Sequence, residues 1–395
     1  MKIRQSIYLD HQATTPVDPR VFSEMTQYFT ESFGNPHSAD HALGWESAQT
    51  IEAAAAAIGD LIGADGDEIV FTSGATEANN LALLGLGRRA TGANRRRILV
   101  AATEHKCILA ASHALQEQLG FDVQYLPVDE RGFVELAALE RSLSEDVLLV
   151  SIASVNNEIG TIQDVAAISE MTRRLGIIFH SDCAQAPPAI DLNNIAHFAD
   201  LVSLSAHKIY GPKGIGALYV RRELHSQIEP LIYGGGQQGN LRSGTVPVPL
   251  CVGMAAAAKL FSGPDAHDER ESLWERTEMF IRKVGDLPWP VFVNGPMDPR
   301  RHPGNANLRF EGFGAQDILR TLQPRLAAST GSACTSGIPE PSHVLRSIGH
   351  SADQAESSIR FSLGRYTTEE DVEEAVALIR DALVQLSQAD LRQQA

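Results

Sequence analysis

Cysteine is scarce in this sequence and widely scattered. Cys107, Cys183, Cys251 and Cys334 stand far apart, with no CxxC pair among them. That spacing excludes a disulfide framework and the usual structural zinc sites, and no metal is expected. Long apolar runs are missing too: no stretch approaches the roughly 20 residues that a membrane-spanning helix requires. The opening residues, Met1 to Asp10, include Lys2 and Arg4 but no apolar core or cleavage site of a secretory leader. The expectation is a cytoplasmic protein without membrane contact. Positive charge is in deficit, with 33 Lys and Arg against 49 Asp and Glu and a net charge of −16. The global field therefore repels nucleic acid and acidic lipid. Two basic clusters, Arg95-Arg96-Arg97 and Arg221-Arg222, lack interleaved aromatics and read as solvated surface.

What is present is an ordinary globular composition, 43% apolar and 21% charged over 395 residues, long enough for two domains. Between about residues 46 and 225, short apolar runs alternate with amphipathic segments. The runs are Glu68–Phe71, Ile98–Ala101, Val147–Ser151, Ile177–His180, Leu201–Leu204 and Gly216–Val220. Helical periodicity marks Trp45–Ile62, Glu77–Arg89 and Asp164–Leu175. Continuous rather than alternating apolar strands predict an α/β fold with a mostly parallel sheet covered by helices on both faces. Near residue 250 the pattern changes to a long helical stretch, Leu250–Val284, broken around Gly263-Pro264. A mixed region follows and ends in the helix Thr368–Leu386. Residues 16–262 are therefore assigned to a large domain. Residues 1–15 and 263–395 are assigned to a smaller α+β domain that carries Cys334.

Ligands of such a sheet bind beyond the carboxyl ends of its strands. After Phe71 comes Thr72-Ser-Gly-Ala-Thr76-Glu77, a glycine turn opening a helix: a phosphate cradle or merely a capping box. After the next strand comes Thr103-Glu104-His105-Lys106, whose histidine suits general acid–base work or plain core hydrogen bonding. Asn156-Asn157-Glu158 and Ser181-Asp182-Cys183-Ala184-Gln185 follow two further strands. An aspartate there can pair with a pyridinium nitrogen, and Gln185 can reach a phenolic oxygen. Ser205-Ala206-His207-Lys208 closes the series. Its amine can form a Schiff base with an aldehyde cofactor, and its hydroxyl and imidazole can hold a phosphate. Each motif alone also reads as a surface charge or a turn; the order of all five along successive strands does not.

These motifs resemble the fold type I pyridoxal-phosphate enzymes, and within them the class V aminotransferase family of NifS/IscS-type cysteine desulfurases. The likeness runs through Tyr8–Pro16, Phe33–His37, Phe71–Asn80, Gly234–Gln237, Arg242–Thr245, Ser329–Ser336 and Ser357–Thr368, in order and almost end to end. The resemblance implies pyridoxal 5′-phosphate bound through Lys208, which would also move the substrate α-proton. His105 would stack on the ring and assist proton transfer. Asp182 would pair with the ring nitrogen and Gln185 with its phenolic oxygen. Ala75, Thr76, Ser205, His207 and Thr245 would hold the phosphate, Thr245 reaching in from a second subunit of a homodimer. Asn157 and Arg360 would bind the substrate carboxylate.

In the same family Cys334 would be the sulfur acceptor. Its segment, Ala327 to Gly337, is built of small residues, which suits a mobile, exposed thiol, and it resembles the longer loop of group I. The activity implied is removal of sulfur from L-cysteine, giving L-alanine and a persulfide on Cys334. The sulfur would then pass to an acceptor protein, with iron–sulfur assembly first and tRNA thiolation or DNA phosphorothioation as alternatives. A selenocysteine lyase or small-substrate aminotransferase needs no such thiol. A sulfur-relay protein would need no Lys208. Scaffold-docking relatives carry an extended C-terminal tail where this sequence stops at Leu391–Ala395, so docking of that kind is not implied. Cys183 is expected to be a small packing residue.

Overall fold

The computed structural model describes residues 1–331 and 341–393. It opens with two short antiparallel strands, β1 (Lys2–Ile3) and β2 (Ser6–Tyr8). Seven strands then build the main sheet: β3 (Ile69–Thr72), β4 (Arg97–Ala101), β5 (Asp122–Leu126), β6 (Val147–Ser151), β7 (Ile178–Asp182), β8 (Leu201–Ser205) and β9 (Gly216–Val220). Their order is β3-β9-β8-β7-β6-β4-β5. The pairs among β8, β7, β6, β4 and β5 are parallel, and only β9 runs antiparallel to both its neighbours.

The expected α/β architecture is present. Every residue of β6, β8 and β9 is buried, as strands covered on both faces must be. One strand was not expected. β5 reads Asp-Val-Gln-Tyr-Leu, sits at the sheet edge and buries only Leu126 fully. Its polar alternation therefore hides it from a search for apolar runs.

Helices run at Ala42–Ile62, Lys106–Leu119 and Val165–Arg173, and a continuous helical path from Ala75 to Arg89 carries a π-type stretch at Leu81–Gly85. The first ends at Gly63, whose φ of +74° is the left-handed conformation that glycine adopts without a Cβ penalty. The break expected near Gly263 separates Val248–Ser262 from Ala266–Gly285.

Beyond it, β10 (Val291–Val293), β11 (Asn305–Phe310) and β13 (Ser358–Ser362) form an antiparallel sheet, and β12 (Leu326–Ala327) pairs in parallel with β2. The helix Glu369–Gln393 belongs to this region. Its core gathers Phe280, Leu308, Phe361 and Ile379 together with Ile7 and Leu9. Val344, Leu345, Ile348 and Ala355 pack instead into the larger core under the main sheet. Among the described residues, no helix is long and apolar enough to cross a membrane.

The stretch after β2 is a strap between the two sheets. Ser362 of β13 donates its N–H to Leu9 O, and its carbonyl accepts from His11 N. Four residues after His11, Thr15 donates to His207 O through both its N–H and its hydroxyl, and its hydroxyl accepts from Tyr210 N.

Candidate active site

A cavity of about 530 Å³ opens at the carboxyl ends of β3, β4, β6, β7 and β8. Each strand end delivers its neighbouring residues there. The strap adds Gln12, Ala13 and Thr14, and the second region adds Gly331, His343, Val344 and Arg360.

The helix beginning at Ala75 starts without a side-chain cap, because its first flanking residue is Gly74. Glu77 does not close a capping box. Its carboxylate accepts from Ser73 N at 2.7 Å and pairs with Arg242 at 2.9 Å. Burial would raise its pKa, but these bonds outweigh burial and leave it lowered. The helix thus keeps its first N–H groups, at Ala75 and Thr76, for something other than its own side chains. Ser205 ends β8 buried, and its hydroxyl lies 4.0 Å from where a Cβ on Gly74 would project. His207 follows, bonded through Nδ1 to Thr14 Oγ1 at 3.1 Å. Burial, with Lys208 and Lys213 nearby, lowers its pKa to about 4. The ring is therefore neutral near pH 7.

Lys208 sits on the short 3₁₀ turn Ala206–Lys208 after β8. Its Nζ donates to Gln12 O at 2.5 Å and to Ala13 O at 2.9 Å. Gln185 Nε2 donates to the same Gln12 carbonyl at 2.9 Å. Asp182, the last residue of β7, accepts from Asn79 Nδ2 at 2.7 Å and from Ala184 N at 2.9 Å. His105 flanks the start of Lys106–Leu119 and accepts from Cys107 N. Its pKa is lowered, first by burial and then by the positive charge of Lys208 and other neighbours, against the pull of Asp182.

At the other end Arg360, 3% exposed, projects from β13. It donates to Asn157 O at 2.8 Å, Asp10 Oδ1 at 2.8 Å and Ser329 Oγ at 2.9 Å. Asn157 thus meets Arg360 through its backbone carbonyl. Glu158 beside it is buried; its Oε2 accepts from Ser342 Oγ at 2.7 Å, and its Oε1 has no partner among the described residues. Burial raises its pKa. A Cβ on Gly331 would lie 2.4 Å from Glu158 Cγ, so the residues on either side of positions 332–340 both rest on this carboxyl.

Lys208, His105, Ala75, Thr76, Asp182, Gln185, Ser205, His207, Asn157 and Arg360 therefore line one cavity. Thr245 is exposed and does not line the cavity of its own chain. Cys334 lies outside the described residues. Cys183 is fully buried with its thiol pushed up to about 12, mainly by burial. Sequence reasoning passed over Asn79, Glu104, Gln12 and His343. Glu104 is buried with its pKa well above the usual carboxylate range, one oxygen accepting from Ala153 N and the other unpartnered among the described residues. The doubled Asn79-Asn80, poor helix formers inside a helix, was the one available signal for Asn79.

The profile of the Aminotransferase class-V family matches residues 7–375. A relative from Rickettsia typhi named cysteine desulfurase IscS is 45% identical over 373 residues, covering 94% of this chain and 90% of the relative. A solved structure described as a NifS-like protein superposes with a TM-score of 0.88 at 33% identity, covering 96% of this chain and 99% of that one. Another, described as SspA in complex with cysteine, gives 0.78 at 36% identity, covering 91% and 99%. A match of this length, with the five strand-end motifs meeting in one cavity, shows that the chain belongs to the class V aminotransferase family of pyridoxal-phosphate enzymes, on its NifS/IscS branch.

Proposed function

We propose that this chain is a cysteine desulfurase, taking sulfur from L-cysteine to give L-alanine and a persulfide on Cys334. The observation that supports it most directly is that one cavity is lined by Lys208, Asp182 and a neutral His105, with the buried guanidinium of Arg360 at its far side. The residues present fit pyridoxal 5′-phosphate. The uncapped N–H groups of Ala75 and Thr76, with Ser205 and His207, suit its phosphate. Lys208 suits its aldehyde, Asp182 its ring nitrogen and Gln185 its phenolic oxygen. Bound there, the cofactor supplies an electron sink for the substrate's α-carbon.

The chain's own residues supply the rest. Arg360 binds the substrate carboxylate as a fork, beside Asn157. Lys208 Nζ takes the α-proton and returns it, and His105 assists proton transfer. The Cys334 thiolate attacks the substrate sulfur, forming an S–S bond as the C–S bond breaks, with that electron pair left on carbon. One cysteine and one thiol become one alanine and one persulfide, so atoms and electrons balance.

We further place the chain in the cytoplasm as a homodimer, the partner copy supplying Thr245. That reading is supported by Thr245 being exposed and outside its own chain's cavity. The sulfur acceptor is assigned to iron–sulfur assembly, supported by the IscS name of the 45% identical relative. The division into residues 16–262 and residues 1–15 with 263–395 is supported by the second core, which joins Ile7 and Leu9 to residues 273–383.

The test is a paired assay of wild type and Cys334→Ser, each loaded with pyridoxal phosphate and given L-cysteine under reductant. Alanine and sulfide from wild type alone are expected. Equal alanine from both would remove Cys334 from the reaction and favour a lyase. A second assay with L-selenocysteine would then identify it.

A further inference from the structure

His105 and Asp182 stand on different strand ends, yet two side chains outside the assigned machinery connect them. Asn79, wholly buried in the helix after β3, sends its Nδ2 to Asp182 Oδ2 at 2.7 Å and to Cys107 Sγ at 3.2 Å. The Cys107 sulfur lies 3.0 Å from His105 Nδ1, and the Cys107 backbone N–H donates to that same nitrogen at 3.2 Å.

A backbone N–H can only donate, so Nδ1 must be the acceptor and a neutral ring must carry its proton on Nε2. The thiol fits the same direction. Burial holds its pKa up at about 12, so it keeps its hydrogen for Nδ1 while its sulfur accepts from Asn79. A proton added at Nδ1 would break both donations, so they work together with burial to keep the ring neutral.

We propose that Asn79 and Cys107 are positioning residues that join Asp182 to His105 and fix the proton of His105 on Nε2. His105 then meets the reacting atoms with an N–H, as a hydrogen-bond donor and not as a base, and removal of the α-proton falls to Lys208. This last assignment rests on the desulfurase reading; the geometry of the ring does not. Cys107 is thereby a structural donor inside the active cavity, chemically distinct in role from Cys334.

The other titratable groups acting on the ring are Lys208, Lys106 and, once protonated, His343, which disfavour its protonation, and Asp182, which favours it. Removing the thiol should therefore let the ring protonate more easily. In the holoenzyme with ¹⁵N-labelled histidine, two-bond nitrogen–proton correlation is expected to show His105 protonated at Nε2 alone around pH 7.5. The ring pKa should rise by about half a unit in Cys107→Ala, the size of one ordinary hydrogen bond. Cys107→Ser, which restores a donor, should return it toward wild type, and Asn79→Ala should shift it upward by less than Cys107→Ala does.

A proton on Nδ1 in the wild type, which needs no variant to observe, would overturn the proposal. So would an unchanged ring pKa in Cys107→Ala. A wild type that makes no alanine but shows Nε2–H would sink the desulfurase reading and leave the positioning role standing.

Discussion

The two ends of the cavity are built in opposite ways. At the cofactor end, Ala75, His105, Asp182, Ser205 and Lys208 each lie within a few residues of a strand's carboxyl end, so the sheet itself places them. At the substrate end, Arg360 is held by Asp10, Asn157 and Ser329, which come from positions 350, 203 and 31 residues away. The first is a product of local βα geometry; the second exists only once the small sheet has docked. The cofactor end, tied to the small sheet only through the strap, should therefore tolerate perturbation of that sheet better than the substrate end does.

The largest effect should come from the cofactor end. Lys208→Ala should lower turnover by about 10²–10⁴-fold, the range of a lost proton-transfer group. Alanine release from L-cysteine measures it, and a fall under tenfold would end the assignment. Next comes Arg360→Lys, which keeps the charge but replaces a fork that reaches three partners with a single nitrogen. A drop of about 10–100-fold in kcat/KM is expected, carried mostly by KM, as for loss of one or two charged hydrogen bonds. A change in kcat alone would place the substrate carboxylate elsewhere.

A smaller effect concerns the buried carboxyls, one at each end. Glu104 and Glu158 both have raised pKa values, chiefly from burial. A carboxyl whose folded pKa is raised favours the folded state fully at pH below its unfolded value. That advantage fades as pH climbs from about 4.5 through the raised folded value. Glu104→Gln and Glu158→Gln should both flatten this loss of stability with rising pH, Glu104→Gln the more. Urea denaturation between pH 5 and 8 reads the slope, and an unchanged slope in both would mean that neither is neutral when folded. The smallest effect is Cys183→Ala. Turnover should hold within twofold, with a stability loss of about 1 kcal/mol for a small buried side chain. A large loss of alanine production would give that thiol a role it is not assigned.

The same contrast explains what the sequence disclosed. The sheet was readable because β6, β8 and β9 are mostly apolar runs buried along their whole length, whereas β5 escaped because an edge strand need not be apolar. Lys208, His105 and Asp182 were readable because strand ends are where such folds place ligands. Asn79 and Glu158 were not, since their roles depend on partners over 100 residues distant, Asp182 and Ser342. Nor does any local pattern reveal that Glu77 abandons its capping box for Arg242, 165 positions away.

The strap from Leu9 to Thr15 has a further consequence, for length rather than composition. It is pinned at Ser362 on one side and at His207 on the other, and between those pins it presents the carbonyls of Gln12 and Ala13 to Lys208. An added or deleted residue would move the carbonyls by about 3.3 Å along the chain, farther than any hydrogen bond stretches. Side chains such as that of Ala13 leave room for exchange, since only its backbone oxygen is engaged by the lysine. The count of residues between the pins does not, and insertions or deletions there should be lost from any functional library while substitutions at Ala13 survive.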